Sequence, residues 1–231
     1  MAGYLVLTAV LLALGYLVVH YLSPGPVGSW DNSVNRWFVR QRTSTFDTIT
    51  AIGSELGATI TVVGVAILAA IGLAIARRWR AVGFLAVGLV LEVTVFLTTS
   101  VLIDRPRPSV PRLDVAPPTS SFPSGHTAAA IVLYFGLAII LGTITRSFAL
   151  RGLGWMLAVA LPIFVALSRL YRGMHHPTDV IGSCILALGA LTFALLAART
   201  AGAVLARRTA SVSVHARSSE SSSDGAAELS R

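Results

Sequence analysis

The residues best suited to chemistry lie in the segment SRLYRGMHHPTD, which runs from Ser168 to Asp179 between two apolar blocks. His175 and Asp179 are four residues apart, so the carboxylate is expected to reach one imidazole nitrogen if a helix begins there. Such a contact fixes the tautomer of His175 and leaves the other ring nitrogen free to act as a nucleophile. Arg169 lies just upstream, at the end of the preceding apolar block.

A second polar segment, residues 104–126, reads DRPRPSVPRLDVAPPTSSFPSGH and contains six of the ten prolines in the chain. Proline fixes φ and lowers the entropy of the free segment, so we expect a stiff connection. It ends in Ser124, Gly125 and His126, directly before an apolar block. The start of a helix offers unpaired N–H groups and a positive dipole end, which suit an anion. Glycine at that point lets the backbone approach a phosphate closely.

Each of these features also has an ordinary structural interpretation. His175 and Asp179 could form half of a metal site, but no further carboxylate or Cys/His pair completes it. PSGH alone could be a helix cap with a turn, and arginines at membrane borders commonly contact lipid headgroups. The occurrence of all of them on one predicted side of a membrane favours an anion-processing site.

The composition indicates which elements position these residues. Of the 231 residues, 55% are hydrophobic and only 12% are charged, which is typical of an integral membrane protein. Six apolar blocks are long enough to span the hydrocarbon core as helices. They cover residues 4–22, 56–76, 81–103, 127–145, 153–170 and 180–198. We therefore predict an all-α fold, a bundle of six transmembrane helices within one membrane-embedded domain over residues 1–200.

Two segments are predicted to lie outside the bundle. Residues 30–52 mix apolar and polar residues at helical spacing, which indicates an amphipathic extramembrane helix after the first span. Trp30 and Trp37 would place it at headgroup level; an ordinary extramembrane helical connection is the alternative. Residues 201–231 are rich in serine and are predicted to form a disordered cytoplasmic tail.

The arginine distribution predicts the orientation in the membrane. Basic short connections stay in the cytoplasm, and those after the second, fourth and sixth blocks carry Arg77, Arg78, Arg80, Arg146, Arg151, Arg199, Arg207 and Arg208. Both termini are then cytoplasmic, and residues 23–55, 104–126 and 171–179 are extracytoplasmic. The formal net charge is +8, but no aromatic and basic patch accompanies it, which excludes nucleic acid as a partner.

The three motifs resemble those of the type 2 phosphatidic acid phosphatases (PAP2), which share their site with the vanadium haloperoxidases. The family pattern is K-x6-R-P, then P-S-G-H, then S-R-x5-H-x3-D. Arg107 and Pro108 match the end of the first motif, residues 123–126 match the second, and residues 168–179 match the third. The resemblance is to the bacterial membrane lipid phosphatase branch, which includes undecaprenyl diphosphatase-like enzymes.

The resemblance implies a role for each matched residue. His175 would attack phosphorus and form a phosphohistidine, and Asp179 would orient it. His126 would protonate the leaving oxygen and then activate water. The phosphate oxygens would be held by Arg107, Arg169 and the backbone N–H groups of Ser124 and Gly125. No metal or cofactor is implied, because arginines neutralise the charge.

One position departs from the family pattern. The family lysine falls at position 100, where this chain has Ser100, and all 18 basic residues are arginine. We expect Arg105 to replace that lysine at the substrate, with Arg172 as the next candidate. Glu92 lies inside the third apolar block, where ionisable groups are costly, and a hydrogen bond to a neighbouring helix is expected.

The sequence thus predicts an integral membrane phosphatase acting on a polyprenyl diphosphate, phosphatidic acid or another lipid phosphate. The alternative is a lipid-phosphate-binding or transport protein that has lost turnover. Ser100 favours that alternative, whereas the intact set of His126, His175 and Asp179 argues against it. A haloperoxidase-like vanadate enzyme is disfavoured because the chain is membrane-embedded and lacks the lysine. Membrane lipids and the lipid phosphate are the expected partners.

Overall fold

The structure is a computed structural model that describes the backbone of residues 1–228 and the side chains of residues 1–202. All regular secondary structure in the described backbone is helical, which confirms the predicted all-α class. The first helix, α1, continues into a π-helical turn over Val18–Leu22. The helices are α1 (Ala2–Leu17), α2 (Pro26–Arg40), α3 (Ser44–Glu55), α4 (Thr59–Ile75), α5 (Trp79–Leu102), α6 (Gly125–Ile144), α7 (Phe148–Tyr171) and α8 (Pro177–Glu228).

The structure has five to six candidate membrane spans, where the sequence predicted six. Five helical segments are long and apolar enough to cross a bilayer: Ala2–Leu22, Trp79–Leu102, Gly125–Ile144, Phe148–Tyr171 and Pro177–Gly202. The sixth comes from α3 and α4, which meet at a bend of 46° and together meet the same criteria. Helix α3 packs on α7, and its last turn becomes part of the polar site described below.

Helix α6 lies at the centre of the bundle and packs against α4, α5, α7 and α8. It is apolar all round, as expected of a helix surrounded by others, and Ala128, Val132 and Leu133 are fully buried. Helix α1 packs on α5 and α8. These contacts form one continuous hydrophobic core from which the ends of α5 to α8 present the polar segments.

The amphipathic segment differs from its prediction as a single helix over residues 30–52. It forms two helices, α2 and α3, separated at residues 41–43. Thr43 has an extended backbone, and its hydroxyl accepts a hydrogen bond from the N–H of Phe46 at 3.2 Å, which caps a new helix. The local cap therefore overrides the continuous amphipathic pattern. Trp30 and Trp37 are half exposed, and their place at the membrane surface stays a prediction.

The three segments predicted to be extracytoplasmic meet at one end of the bundle. In the 104–124 connection, the N–H of Leu113 donates to the carbonyl of Arg172 at 3.1 Å, which joins it to the end of α7. Asp31 of α2 accepts from the N–H of Thr178 at the start of α8, also at 3.1 Å. The fold therefore assembles one polar region from parts of the chain that are distant in sequence.

The division between a membrane domain and a tail stays a prediction. The last helix, α8, is assigned over Pro177–Glu228 and so continues past residue 200. The side chains after residue 202, which make up nearly all of the predicted disordered tail, lie outside the described residues.

Candidate active site

A polar cavity of about 560 Å³ opens where the three segments meet, and we call it the polar cavity. It is lined by five of the residues predicted to form the site: Arg107, Gly125, His126, Arg169 and His175. Ser124, Asp179 and Arg105 are not among its lining residues. The sequence motifs therefore converge in space, but they separate into residues that face the cavity and residues that lie behind them.

His175 lies in the short connection between α7 and α8 and is 4% exposed. Its Nδ1 is 2.8 Å from the carbonyl oxygen of Ser121. A carbonyl only accepts, so Nδ1 carries the proton and Nε2 keeps its lone pair. Burial lowers the pKa of His175; the Asp179 carboxylate opposes this shift, and the charges of Arg169 and Arg107 support it. The ring is therefore neutral near pH 7, which is the form that a nucleophile requires.

Asp179 does not bind the imidazole of His175 as expected. Its Oδ2 lies 3.7 Å from His175 Nδ1, too far for a hydrogen bond. The fully buried carboxylate instead accepts from the Ser121 hydroxyl, from the guanidinium of Arg105 and, at 2.7 Å, from the N–H of His176. Since Ser121 also supplies the carbonyl that holds Nδ1, Asp179 orients His175 through Ser121.

Arg105 is 4% exposed, and its guanidinium points away from the polar cavity. It donates to Asp179, to Asp31 Oδ2 at 2.8 Å and to the Thr178 hydroxyl at 2.7 Å. The expectation that Arg105 replaces the family lysine at the substrate is therefore corrected. Two carboxylates buried side by side require a cation between them, and Arg105 fills that place.

Two residues of α2 belong to the same network and were not predicted. Asp31 and Asn35 are each 1% exposed and lie one turn apart. Asn35 Nδ2 donates to His176 Nδ1 at 3.2 Å, and His176 Nε2 lies 3.3 Å from the carbonyl of Pro106. Both ring nitrogens of His176 are thus engaged, unlike those of His175. The sequence signal that could have identified Asp31 and Asn35 was their i, i+4 spacing within an amphipathic helix.

The start of α6 brings His126 and Gly125 to the polar cavity. A Cβ at Gly125 would lie 2.9 Å from Cζ of Phe96, so only glycine fits there without a shift of that ring. The first intrahelical bond joins the N–H of Ala128 to the carbonyl of Ser124 at 3.0 Å, which leaves the earlier N–H groups of the turn for an anion. The His126 imidazole has no hydrogen-bond partner among the described side chains.

Ser124 takes a different position from the one implied by the resemblance. Its side chain is fully buried, with Oγ 3.0 Å from the hydroxyl of Thr127. Its N–H is directed at the carbonyl of Asp179, 3.4 Å away. Ser124 therefore links the start of α6 to the start of α8, while Gly125 remains the predicted backbone donor at the cavity.

Arg107 and Arg169 line the polar cavity, and each has a guanidinium donor that no group in the described part of the chain accepts. Arg107 donates from Nη1 to the carbonyl of Met174 at 2.8 Å, and Arg169 from Nη1 to the Ser54 hydroxyl at 2.7 Å. The Nε of both is buried without a hydrogen-bond partner in the described part of the chain. Buried donors are normally paired, so two unpaired cationic donors at one cavity point to an anionic ligand.

Asp114, in the proline-rich connection, brings a negative charge to the same cavity and was not predicted. It accepts from Arg169 at 3.0 Å and from Arg172 Nε at 2.8 Å and Nη2 at 2.5 Å. Burial alone would raise the pKa of Asp114, but the hydrogen bonds and charges of Arg172 and Arg169 outweigh it, and the net pKa is lowered. The carboxylate is therefore ionised and fixes the orientation of Arg169.

The family lysine has no side-chain replacement among the residues described. Ser100 is 6% exposed and donates to the carbonyl of Leu97 at 3.0 Å. Arg172 reaches the polar cavity, but its N–H groups are taken by Asp114, by the carbonyls of Asp47 and Leu113 and by Thr50. Arg107 and Arg169 are therefore the cations with free donors.

No group of three or more His, Cys, Asp or Glu residues in the described part of the chain could hold a metal ion.

The sequence of this chain is similar to one protein family and to a bacterial diphosphatase. Residues 61–203, more than half of the chain, match the sequence model of the PAP2 superfamily. The undecaprenyl-diphosphatase BcrC of Bacillus subtilis (strain 168) is 33% identical over 69 residues, which cover 30% of this chain and 31% of that relative. The matched part is thus less than a third of that protein.

Two solved structures share the fold. A transmembrane PAP2-type phosphatidylglycerolphosphate phosphatase from Bacillus subtilis superposes with a TM-score of 0.72 at 22% identity, over 84% of this chain and 94% of that one. LpxE from Aquifex aeolicus superposes with a TM-score of 0.53 at 23% identity, over 71% and 93% of the two chains. At these identities the likeness extends to the architecture.

Proposed function

The chain belongs to the PAP2 superfamily, and we propose that it is a membrane phosphatase that hydrolyses lipid phosphates through a phosphohistidine on His175. One observation carries this proposal. The polar cavity joins a neutral His175, with Nε2 free, to the unpaired Nε donors of Arg107 and Arg169. A phosphate group satisfies both donors and presents phosphorus to the histidine.

In the first step, His175 Nε2 attacks phosphorus while the bond from phosphorus to the lipid oxygen breaks. The negative charge of the bound phosphate favours the protonated form of His126, which gives its proton to that oxygen, and the lipid alcohol or lipid monophosphate leaves. Positioned proton donors of this kind typically contribute roughly 10²–10⁴ in rate. Arg107 and Arg169 hold the equatorial oxygens, where each well-placed donor contributes about 3–4 kcal/mol to the transition state.

In the second step, His126, now neutral, removes a proton from water as that water attacks the phosphohistidine. The bond from His175 Nε2 to phosphorus breaks, and inorganic phosphate leaves. Ser121 keeps the proton on Nδ1 throughout, so the bond to phosphorus always forms at Nε2. Both histidines end in their starting states.

The substrate class is an amphiphile with a phosphate or diphosphate head. One relative is named as an undecaprenyl diphosphatase, and a structural neighbour as a phosphatidylglycerolphosphate phosphatase. Both substrates carry long apolar chains beside their phosphates. The polar cavity lies at the end of a membrane bundle and is also lined by Ala51, Val93 and Phe96, which suits such a molecule.

Phosphate release by the purified full chain in detergent tests the proposal. We expect turnover of phosphatidic acid or of a polyprenyl diphosphate, and loss of detectable turnover in His175→Ala. His176→Gln is the matched control, because His176 lies outside the polar cavity, and it should keep most of the activity. Acid-labile label on the protein from ³²P-phosphatidic acid should be present in the parent and absent in His175→Ala.

Equal and mild losses in the two histidine variants would contradict the assignment. A parent protein that binds lipid phosphate without releasing phosphate would favour the alternative, a binding or transport protein. That alternative rests on the missing lysine. Ser100 carries no charge, and the N–H groups of Arg172 are already bonded to other groups of the protein.

A further inference from the structure

A second cavity, which we call the α4–α5 groove, adjoins the polar cavity. Its volume is about 340 Å³, and aliphatic side chains such as Val63, Ala66 and Leu89 form most of its walls. Thr59 and Val93 line both this groove and the polar cavity. The two spaces are therefore contiguous, and a lipid with its phosphate in one has a direct path for its chain into the other.

Glu92 is the ionisable residue of this groove and has no role in the proposed reaction. It is 3% exposed, and it makes no hydrogen bond or ion pair within the part of the chain that the structure describes. The expected hydrogen bond to a neighbouring helix is thus not formed. A carboxyl without a partner in apolar surroundings is unfavourable, so a polar group of a ligand that pairs with Glu92 is stabilised at this point of the groove.

The position of Glu92 limits which part of a ligand it can meet. It precedes Val93, which lines both cavities, and lies one helical turn before Phe96, which lines the polar cavity. Along the helix axis this separation is about 6 Å. In a glycerolipid phosphate, the ester carbonyls lie a few bonds from phosphorus. With the phosphate between Arg107 and Arg169 and the acyl chains in the α4–α5 groove, the ester carbonyls lie on the path that passes Glu92.

The chemistry of the groove selects the partner of Glu92. The walls of the groove provide no cation. In such apolar surroundings the neutral carboxylic acid is more stable than an unpaired carboxylate. A carboxylic acid offers one O–H donor. An ester carbonyl accepts that hydrogen bond, whereas a prenyl chain has only hydrocarbon at this depth and leaves the acid unpaired.

We propose that Glu92 is a specificity-determining residue that donates a hydrogen bond to an ester carbonyl of an acylated glycerol phosphate. It thereby favours acyl glycerolipids over polyprenyl diphosphates. This inference rests on the proposed phosphatase function and names the substrate class of the same site. Glu92 contacts a part of the lipid that is remote from phosphorus. The preference for acyl glycerolipids should therefore be measured as a difference in kcat/KM.

Three synthetic lipids test the hydrogen bond: diacylglycerol phosphate, its dialkyl ether analogue without the carbonyls, and farnesyl diphosphate. We compare kcat/KM in mixed micelles for the parent, Glu92→Gln and Glu92→Leu. The parent should prefer the ester to the ether lipid by about tenfold, the value of one net hydrogen bond. Glu92→Gln keeps a donor and should retain most of that preference.

In Glu92→Leu the ratio of ester to ether should fall to about one through loss of ester turnover. Turnover of farnesyl diphosphate should be unchanged or improved, which also shows that the variant is folded. Leu89→Met changes the shape of the same groove without its polarity, so its ester-to-ether ratio should match that of the parent.

An ester preference that survives in Glu92→Leu, or a parent that does not distinguish ester from ether, would overturn the role of Glu92. Those outcomes leave the phosphatase function intact, because phosphate is still released. A parent that releases phosphate from none of the three lipids would overturn the phosphatase function, and the role of Glu92 with it.

Discussion

At the scale of single residues, Arg105 shows how the charge of the site is balanced behind the polar cavity. It lies between the carboxylates of Asp31 and Asp179, which are 1% and 0% exposed. Removing the cation leaves two buried charges unpaired, and breaking such a pair typically costs about 3–5 kcal/mol. In the proposed reaction, Arg105 therefore acts through Asp179 and Ser121 and does not contact the substrate.

We expect Arg105→Gln to lower the melting temperature and kcat while KM changes little. Asp31→Asn removes one of the two repelling carboxylates, so adding it to Arg105→Gln should restore part of the lost stability. Thermal unfolding in detergent and steady-state kinetics measure the two effects. A variant with an unchanged melting temperature and a raised KM would instead place Arg105 at the substrate.

His175 gives the reaction a pH dependence with a defined sign. Its folded pKa is held below the ordinary value of about 6.5, mainly by burial. Protonation of Nε2 removes the nucleophile, so phosphorylation should fall only as the pH drops through this lowered pKa. In rapid-quench measurements, the acidic limb of the pH profile should therefore have its midpoint below about pH 6.5. An acidic midpoint at or above that value would contradict the buried, neutral histidine.

The sequence allowed prediction of the residues that belong to short motifs of fixed spacing. His126, Gly125, Arg169 and His175 belong to short motifs, and the structure places all of them at the polar cavity. The residues that were missed contact partners far away in sequence: Asp31 bonds to Thr178, which is 147 residues further along. No local spacing encodes such a contact. Arg105 was assigned to the substrate for the same reason, because its partners Asp31 and Asp179 are also far away in sequence.

At the scale of elements, the close packing of α3 on α7 positions Arg169, one of the proposed phosphate-binding residues. A Cβ at Gly53 would lie 2.1 Å from the Ser168 hydroxyl and 2.9 Å from Cζ of Phe164. The neighbouring residue, Ser54, accepts from Arg169 at 2.7 Å. The glycine therefore allows the two helices to approach closely enough for that hydrogen bond.

Gly53→Ala should push α3 away from α7, lower the melting temperature and raise KM, because Arg169 loses its Ser54 partner. Gly64→Ala in α4 is the matched control, since nothing lies within 4 Å of its added methyl group. In a helix interior that control should gain about 0.5–1 kcal/mol of stability. Equal effects of the two substitutions on KM would show that the approach at Gly53 does not position Arg169.

Most of the membrane-spanning helices followed from hydropathy with small errors at their ends. The predicted span over residues 127–145 corresponds to Gly125–Ile144, and that over 153–170 to Phe148–Tyr171. Apolar length decides these helices, and the sequence displays it directly. The break after Arg40 was missed because a single capping hydroxyl, that of Thr43, decides it within an amphipathic pattern that continues on both sides.

At the scale of the whole molecule, the two ends of the bundle differ in character. One end carries the polar cavity and the buried ion pairs of Arg105, Arg169 and Arg172. The connections at the other end are short, between α4 and α5 and between α6 and α7, and they carry exposed arginines. Many of the arginines at the polar end are thus engaged in the site and do not report on orientation. The exposed arginines at the opposite end therefore indicate more strongly that this end is cytoplasmic.

We therefore expect the polar cavity to face the extracytoplasmic side, with both termini in the cytoplasm. Val115, at the mouth of the cavity, is 96% exposed, and Trp79, at the opposite end, is 66% exposed. In a Cys184→Ser background, Val115→Cys should react with a membrane-impermeant thiol reagent in intact cells. Trp79→Cys should react only after the cells are permeabilised. Labelling of the Trp79 position alone in intact cells would invert the orientation and place lipid phosphate hydrolysis at the cytoplasmic face.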